Sequence, residues 1–278
     1  MLNNNQIEQY HEQGFLVLDS VIPGSELEKV RHAAMGIVAD FEPEIQGSVF
    51  KTTDRDAGRD EYFFESAEAV HCFLEEGALD DSGKLNRPKE LAINKIGHAM
   101  HDLVPEFTAF CRQPLFGEVL RDIGNDHPLL WQTMYIFKPP AIGGEVRWHQ
   151  DASYLITQPP SVTGIWVALE DAHKGNSCLW VQPGQHRLPL REIYEVDWNT
   201  RSGNLKSLDD TSWISGEPLA VEVPAGSVVL FNDHMPHYSS QNFSDQSRHA
   251  LTLHVSDKSA RWLDKNWLQR PTLGDFEL

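Results

Sequence analysis

A chain of 278 residues, 40% of them hydrophobic and 10% aromatic, is long and apolar enough for one large domain around a buried core, which excludes a disordered protein. Its formal net charge of -18 repels phosphate backbones and anionic bilayers, and no lysine- or arginine-rich cluster offsets that field, so neither nucleic acid nor membrane is expected as a partner. Three scattered cysteines, Cys72, Cys111 and Cys178, read as reduced core thiols; with no signal-peptide pattern in "MLNNNQIEQYHEQG" and no run of about 20 apolar residues, they point to a cytoplasmic protein.

The first third of the chain reads as helical. "GSELEKVRHAAMGIVADF" opens with a capping box, Ser25 and Glu28, and repeats apolar residues at Leu27, Val30, Ala34 and Ile37. A second helix is expected from Glu61 to Glu76, stopped by Gly77, and a third from Pro114 to Ile123, stopped by Gly124. "LAINKIGHAMH" fits neither period. From Leu129 onward short β-rich runs such as "LLWQTMYIFK", "GIWVALEDA", "GSVVLFND" and "RHALTLHV" follow one another between turn residues, the pattern of a mainly β sandwich or barrel. Residues 187–218 read as a long polar insertion. The expected organisation is a single domain over 1–278, with a helical part to about residue 125 and a β core over about 126–258.

One strand-like run, "RWHQDASYL", carries His149 and Asp151 two residues apart, after Gly143 and Gly144. With 13 histidines in the chain, composition alone produces about one such triplet, so the motif needs context. Residues two apart on a strand share a face, and both side chains would point into a barrel. There they supply two of the three ligands of an oxygen-activating iron(II) centre, which takes two histidines and one carboxylate on one octahedral face. The competing reading is a buried histidine–carboxylate hydrogen bond.

The second histidine has four downstream candidates, His234, His237, His249 and His254. A keto-acid cosubstrate also brings a distal carboxylate that a buried guanidinium neutralises best. Arg248 follows His237 by eleven residues, room for a strand, a turn at "NFSD" and a return strand, and Ser239 lies two residues past His237, on the same strand face.

The stretches "GFLVLD", "INKIGHAMH", "MYIFKPPAIGGEVRWHQDASYL", "SCLWVQPGQH" and "QNFSDQSR" resemble the phytanoyl-CoA dioxygenase family of iron(II)/2-oxoglutarate oxygenases, and most of all its small phytanoyl-CoA dioxygenase domain-containing members. The resemblance implies a double-stranded β-helix of jelly-roll or cupin type with flanking N-terminal helices, and an oxygenase using Fe(II), 2-oxoglutarate and O2. It implies that His149, Asp151 and His237 hold iron, that Arg248 and Ser239 receive the distal carboxylate of 2-oxoglutarate, and that Lys95, Met134 and Trp166 line the cosubstrate site. The spacing to Arg248 and the neighbouring Ser239 favour His237 over His234. Two departures stand out: Gln185 in "PGQH" replaces a serine of many relatives, and Arg147 and Trp148 precede the first ligand where smaller or uncharged residues are usual.

The substrate is expected to be a small metabolite hydroxylated with release of succinate and carbon dioxide. Gln132, Arg147 and Tyr154 are its candidate contacts, the wall is drawn from Tyr62, Phe63 and Phe64, and the ligand is anionic if Arg147 turns inward. An acyl-CoA 2-hydroxylase of phytanoyl-CoA type is the alternative within the family, although the acidic chain is a poor host for a nucleotide. A zinc hydrolase with the same three ligands and a non-catalytic ligand-binding β-helix protein are the alternatives outside it.

Overall fold

A computed structural model of the chain describes residues 1–43, 48–50 and 60–278. The amino-terminal third contributes helices α1 (Asn4–Gln13), α2 (Gly24–Asp40), α3 (Glu61–Glu65), α4 (Met100–Leu103), α5 (Pro105–Cys111) and α6 (Pro114–Asp122). It also contributes strands β1 (Phe15–Leu18), β2 (Ser48–Val49), β3 (Val70–Leu74) and β4 (Ile93–His98). The carboxy-terminal part supplies β5 (Pro128–Ile136), β6 (Val146–His149), β7 (Thr157–Gln158), β8 (Thr163–Ala168), β9 (Leu179–Val181) and β10 (Glu192–Asp197). Then come β11 (Ser202–Ser207), β12 (Leu219–Val221), β13 (Val228–Asn232), β14 (His237–Ser239), β15 (Ala250–Asp257) and β16 (Arg261–Trp262).

Helices α2 and α6 lie where the apolar periodicity puts them, but the capping box at Ser25 and Glu28 does not form. Pro23 occupies the N-cap of α2 with no side-chain hydrogen bond, while the reciprocal box is made by Asn3 and Gln6 at the start of α1. The helix expected over 61–76 ends at Glu65, passes through a 3₁₀ turn at Ser66–Glu68 and becomes strand β3. "VHCFL" buries side chains on both faces and is β-rich, so sheet pairing with β4 wins over helix extension.

Among the described residues the strands form an eight-stranded sheet in the order β1-β13-β8-β15-β5-β4-β3-β2, facing a four-stranded sheet in the order β12-β9-β14-β6. Two facing, largely antiparallel sheets with crossing connections are the jelly-roll arrangement that the family resemblance implies. Residue 126 is not a structural boundary, because β1 to β4 extend the large sheet on both sides of the later strands. The long insertion is itself ordered in part, as the β10–β11 hairpin.

The large sheet sorts its residues by parity. Ile165, Val167, Leu230, Leu251 and Leu253 point outward into one apolar core with Leu27, Val30, Phe107, Phe116 and Val119 of the helices. Each such fully buried side chain contributes roughly 1.5–3 kcal/mol, which anchors the sheet against its helical layer. The inner face carries Met134, Trp166 and Thr252, joined in register across β5, β15 and β8, and, one row on, Gln132, His254, Gly164 and Phe231. Those two rows, with the facing small sheet, enclose a cavity. Among the described residues no helix is long and apolar enough to cross a membrane.

Candidate active site

His149 closes β6 and His237 opens β14, and the two are direct partners in the small sheet. Asp151 lies beyond the end of the strand, at the start of a 3₁₀ turn over Asp151–Ser153. Strand alternation therefore does not bring it inward, as the sequence reading assumed; the turn does, with its carbonyl capped by the N–H groups of Tyr154 and Leu155 at 2.9 and 3.0 Å. His149 Nε2 stands 3.7 Å and His237 Nε2 3.6 Å from Asp151 Oδ1. One ligand atom from each of the three side chains lies within 4.8 Å of the others.

The imidazole tautomers are set by the backbone. His149 Nδ1 is 2.8 Å from the carbonyl of Arg147, and His237 Nδ1 is 3.0 Å from that of Met235. A carbonyl only accepts, so each Nδ1 carries the proton and each Nε2 lone pair is directed at the shared point. Burial, reinforced by the imidazole of His237, pushes the His149 pKa down to about 3 and keeps the ring neutral. Burial acts to raise the Asp151 pKa, but His254, His237 and His149 around it prevail and hold the carboxyl below the usual carboxylate range. A neutral His149 and an ionised Asp151 are protonation states that metal ligation requires.

The same cavity, about 190 Å³, runs to Arg248, which is 1% exposed. Arg248 precedes β15 by two residues. Its Nε–H donates to the Ser177 carbonyl at 3.1 Å, Nη2 reaches Ser239 Oγ at 3.5 Å, and its guanidinium carbon lies 5.3 Å from the centre of the Trp166 ring. Among the described residues Nη1 has no hydrogen-bond partner. Burial lowers its pKa to about 10, still far above neutrality, so a full positive charge with an unfilled donor lines the cavity.

Lys95 and Met134 meet on this wall, Nζ 3.7 Å from the sulfur, with the ammonium 3.6 Å from the centre of the Phe50 ring. Gln132 and Tyr154 also line the cavity. Arg147 does so too, but its charge is committed: Nη2 lies 2.7 Å from Glu192 Oε2 on β10 and 3.1 Å from the Tyr154 hydroxyl. Arg147 therefore turns inward as the anion expectation requires, but its charge is already balanced by Glu192. Trp148 turns the other way and stacks on Tyr238 at 5.2 Å. Of the three N-terminal aromatics, Phe63 reaches the cavity, whereas Tyr62 stacks on His71 and Phe64 packs on Trp198. Gln185 begins a 3₁₀ turn after Gly184.

The phytanoyl-CoA dioxygenase (PhyH) family model matches residues 10–250. The chain belongs to the phytanoyl-CoA dioxygenase family. It is similar to phytanoyl-CoA dioxygenase 1 of Oryza sativa subsp. japonica, 40% identical over 271 residues that cover 97% of this chain and 94% of the relative. It is also similar to phytanoyl-CoA dioxygenase domain-containing protein 1 of Mus musculus, 35% identical over 276 residues, with 96% and 95% covered. Its fold is similar to that of EctD from S. alaskensis, solved with 2-oxoglutarate and 5-hydroxyectoine, at a TM-score of 0.65, 18% identity, and coverage of 98% of this chain and 81% of that one.

What surrounds His149, Asp151 and His237 is not announced by the sequence. His254, one of the four candidate second histidines, shares the parity of Arg248 and Thr252 along β15, a signal that places it inside. Gly164 packs against Asp151 and carries no sequence signal beyond its position in "TGIW". Lys138 and Glu75, both buried at the cavity wall, were not singled out.

Proposed function

We propose that the protein is an Fe(II)- and 2-oxoglutarate-dependent dioxygenase that hydroxylates a small molecule, with His149, Asp151 and His237 as iron ligands. The observation that carries this reading is the unfilled Nη1 of buried Arg248 in the cavity that also holds the triad. A zinc hydrolase has no use for a buried guanidinium there, whereas a dicarboxylate chelating the metal places its far carboxylate against one. Bound in this site, iron(II) and 2-oxoglutarate would supply the oxidising power for C–H hydroxylation, with succinate and carbon dioxide as coproducts.

The chain's own residues bind and orient. Arg248 and Ser239 receive the distal carboxylate, Trp166 covers the guanidinium face, and Lys95 and Met134 form the adjoining wall. Phe231 packs on His237 with ring centres 4.6 Å apart and keeps water from that side of the ligand. Gln132, Arg147 and Tyr154 stand at the substrate side of the same cavity.

The size of the cavity argues for a small substrate. About 190 Å³ is below the roughly 300–1,000 Å³ that drug-sized ligands fill, so cosubstrate and the reacting end of a small molecule exhaust it. An acyl-CoA would leave its nucleotide on the surface of a chain of charge -18. Three buried, unpaired cysteines suit a reducing, cytoplasmic setting. Anaerobic addition of Fe(II) and then 2-oxoglutarate, followed by visible absorption, tests the cofactors: a charge-transfer band that needs both is expected. Oxygen-dependent succinate formation should follow, and its absence, together with no band, would refute the reading.

A further inference from the structure

His254 stands on β15 between Gln132 on β5 and Gly164 on β8, at the level of the triad. It is 4% exposed, and both of its ring nitrogens are engaged. Nε2 lies 3.2 Å from Asp151 Oδ2, and Nδ1 lies 3.1 Å from Gln132 Nε2. An ionised carboxylate offers only lone pairs, so Nε2 carries the hydrogen and Nδ1 accepts from the Gln132 amide. The approach to Oδ2 is off the line of a straight hydrogen bond, which makes the contact chiefly electrostatic. The three residues form a directed chain: Gln132 orients His254, and His254 holds one oxygen of Asp151.

The two carboxylate oxygens are thus given different tasks. Oδ1 is the one at 3.6 to 3.7 Å from the Nε2 atoms of His237 and His149, and Oδ2 is turned to His254. Behind Oδ2 the wall is Gly164, where a Cβ would come within 2.8 Å. We propose that His254 is a positioning residue that restricts Asp151 to one-oxygen metal ligation, with Gln132 setting its orientation. The consequence is a matter of coordination sites. Two imidazoles and a carboxylate using both oxygens would fill four of six positions, leaving two. A chelating keto acid and oxygen need three, and holding Oδ2 on His254 keeps the third open.

This inference rests on the metal reading above, and its test separates the two. Metal-free wild type, His254→Leu, His254→Gln and Gln132→Leu are titrated anaerobically with Co(II) alone, a spectroscopic substitute for Fe(II), and their unfolding temperatures are recorded without metal. His254→Leu should bind Co(II) about 10- to 100-fold more weakly, with a changed visible spectrum. His254→Gln, whose amide N–H reaches toward Oδ2, should recover most of the affinity even where its metal-free stability has dropped as far as that of the leucine variant. Gln132→Leu, which removes no group from Asp151, should show a smaller loss of the same sign and carries the test if His254→Leu does not fold. Wild-type affinity in His254→Leu, or a glutamine variant as impaired as the leucine one, overturns the proposal. Unchanged affinity in Gln132→Leu overturns the part assigned to Gln132. Failure of the wild type itself to bind Co(II) and Fe(II) overturns the metal reading instead.

Discussion

Gly164 and Asp151 are in such close contact that a Cβ at residue 164 would stand 2.8 Å from Asp151 Oδ2 and 2.3 Å from Phe231 Cε2. Both neighbours are buried side chains of the site, so relieving either contact displaces a cavity-lining group. Gly164→Ala is therefore expected to cost about 1–3 kcal/mol of stability and to weaken Fe(II) binding. Gly36, exposed in α2 with open space around it, is the control: Gly36→Ala should stabilise by about 0.5–1 kcal/mol and leave metal binding alone. Thermal unfolding and a metal titration on the two variants check both signs.

Arg248 separates stability from function in the opposite direction. Among the described residues no carboxylate pairs with its buried charge, so removing it should leave the metal-free protein as stable as before, or more so. Arg248→Leu should nevertheless lose about 2–5 kcal/mol of 2-oxoglutarate binding, because the cosubstrate carboxylate is left buried without its cation. Arg248→Lys should recover only part, since an ammonium does not reproduce the planar fork. Isothermal titration of 2-oxoglutarate into the Fe(II) protein under nitrogen, beside unfolding curves, decides.

The pH dependence of the metal-free protein follows from buried histidines. Burial depresses His149 to about 3 and His249 to about 4, against about 6.5 when unfolded. Between those values the unfolded chain binds protons that the folded one refuses, so stability is lost as pH falls below 6.5. Asp233, raised by burial to about 6, works the other way between pH 6 and its unfolded value near 3.8. His101 and His186 are depressed by burial in the same direction, so from pH 6.5 to 6 the histidines act together unopposed, and below 6 Asp233 offsets only part of their effect. Urea midpoints at pH 7.5, 6 and 5 should fall in that order, and a rising series would contradict the assignments.

How much of this was legible in the sequence depends on the range of the force involved. Spacing past His237 is local, and it was enough to put Ser239 and Arg248 at the cavity, whereas Met134 and Trp166, which also line it, were implied by the family resemblance and not by any pattern in the strands. Asp151 was correct in outcome and mistaken in cause, because a 3₁₀ turn and a strand both bring residue i+2 near residue i. β3 was read as helix since its neighbours Tyr62 to Phe64 are helical and the pairing that ends the helix comes from β4, twenty residues on. Arg147 was open for a similar reason: which charge neutralises it is decided by Glu192 on a hairpin 45 residues away, and no local pattern announces that partner.

That last pair links the hairpin to the chemistry. Arg147 Nη2 lies 2.7 Å from Glu192 Oε2, and the Arg147 carbonyl receives the Nδ1–H of His149. Tyr194 and Val196 of the same hairpin pack in one apolar cluster with Leu155 and Phe64, and Tyr194 lies against Tyr154, so β10–β11 packs behind the cavity wall formed by Tyr154 and Leu155 and is tied by charge to the residue that orients His149. Glu192→Gln leaves the guanidinium facing the cavity without its carboxylate. It should cost about 3 kcal/mol, speed proteolysis within the hairpin and make activity sensitive to small carboxylates such as acetate, which the wild type tolerates. Arg147→Gln combined with Glu192→Gln removes the charge altogether and should abolish the acetate sensitivity while recovering part of the stability, giving a coupling energy of about 0.5–3 kcal/mol in the double-mutant cycle. Additive losses and equal acetate response in all four proteins would show that the pair is incidental to the cavity.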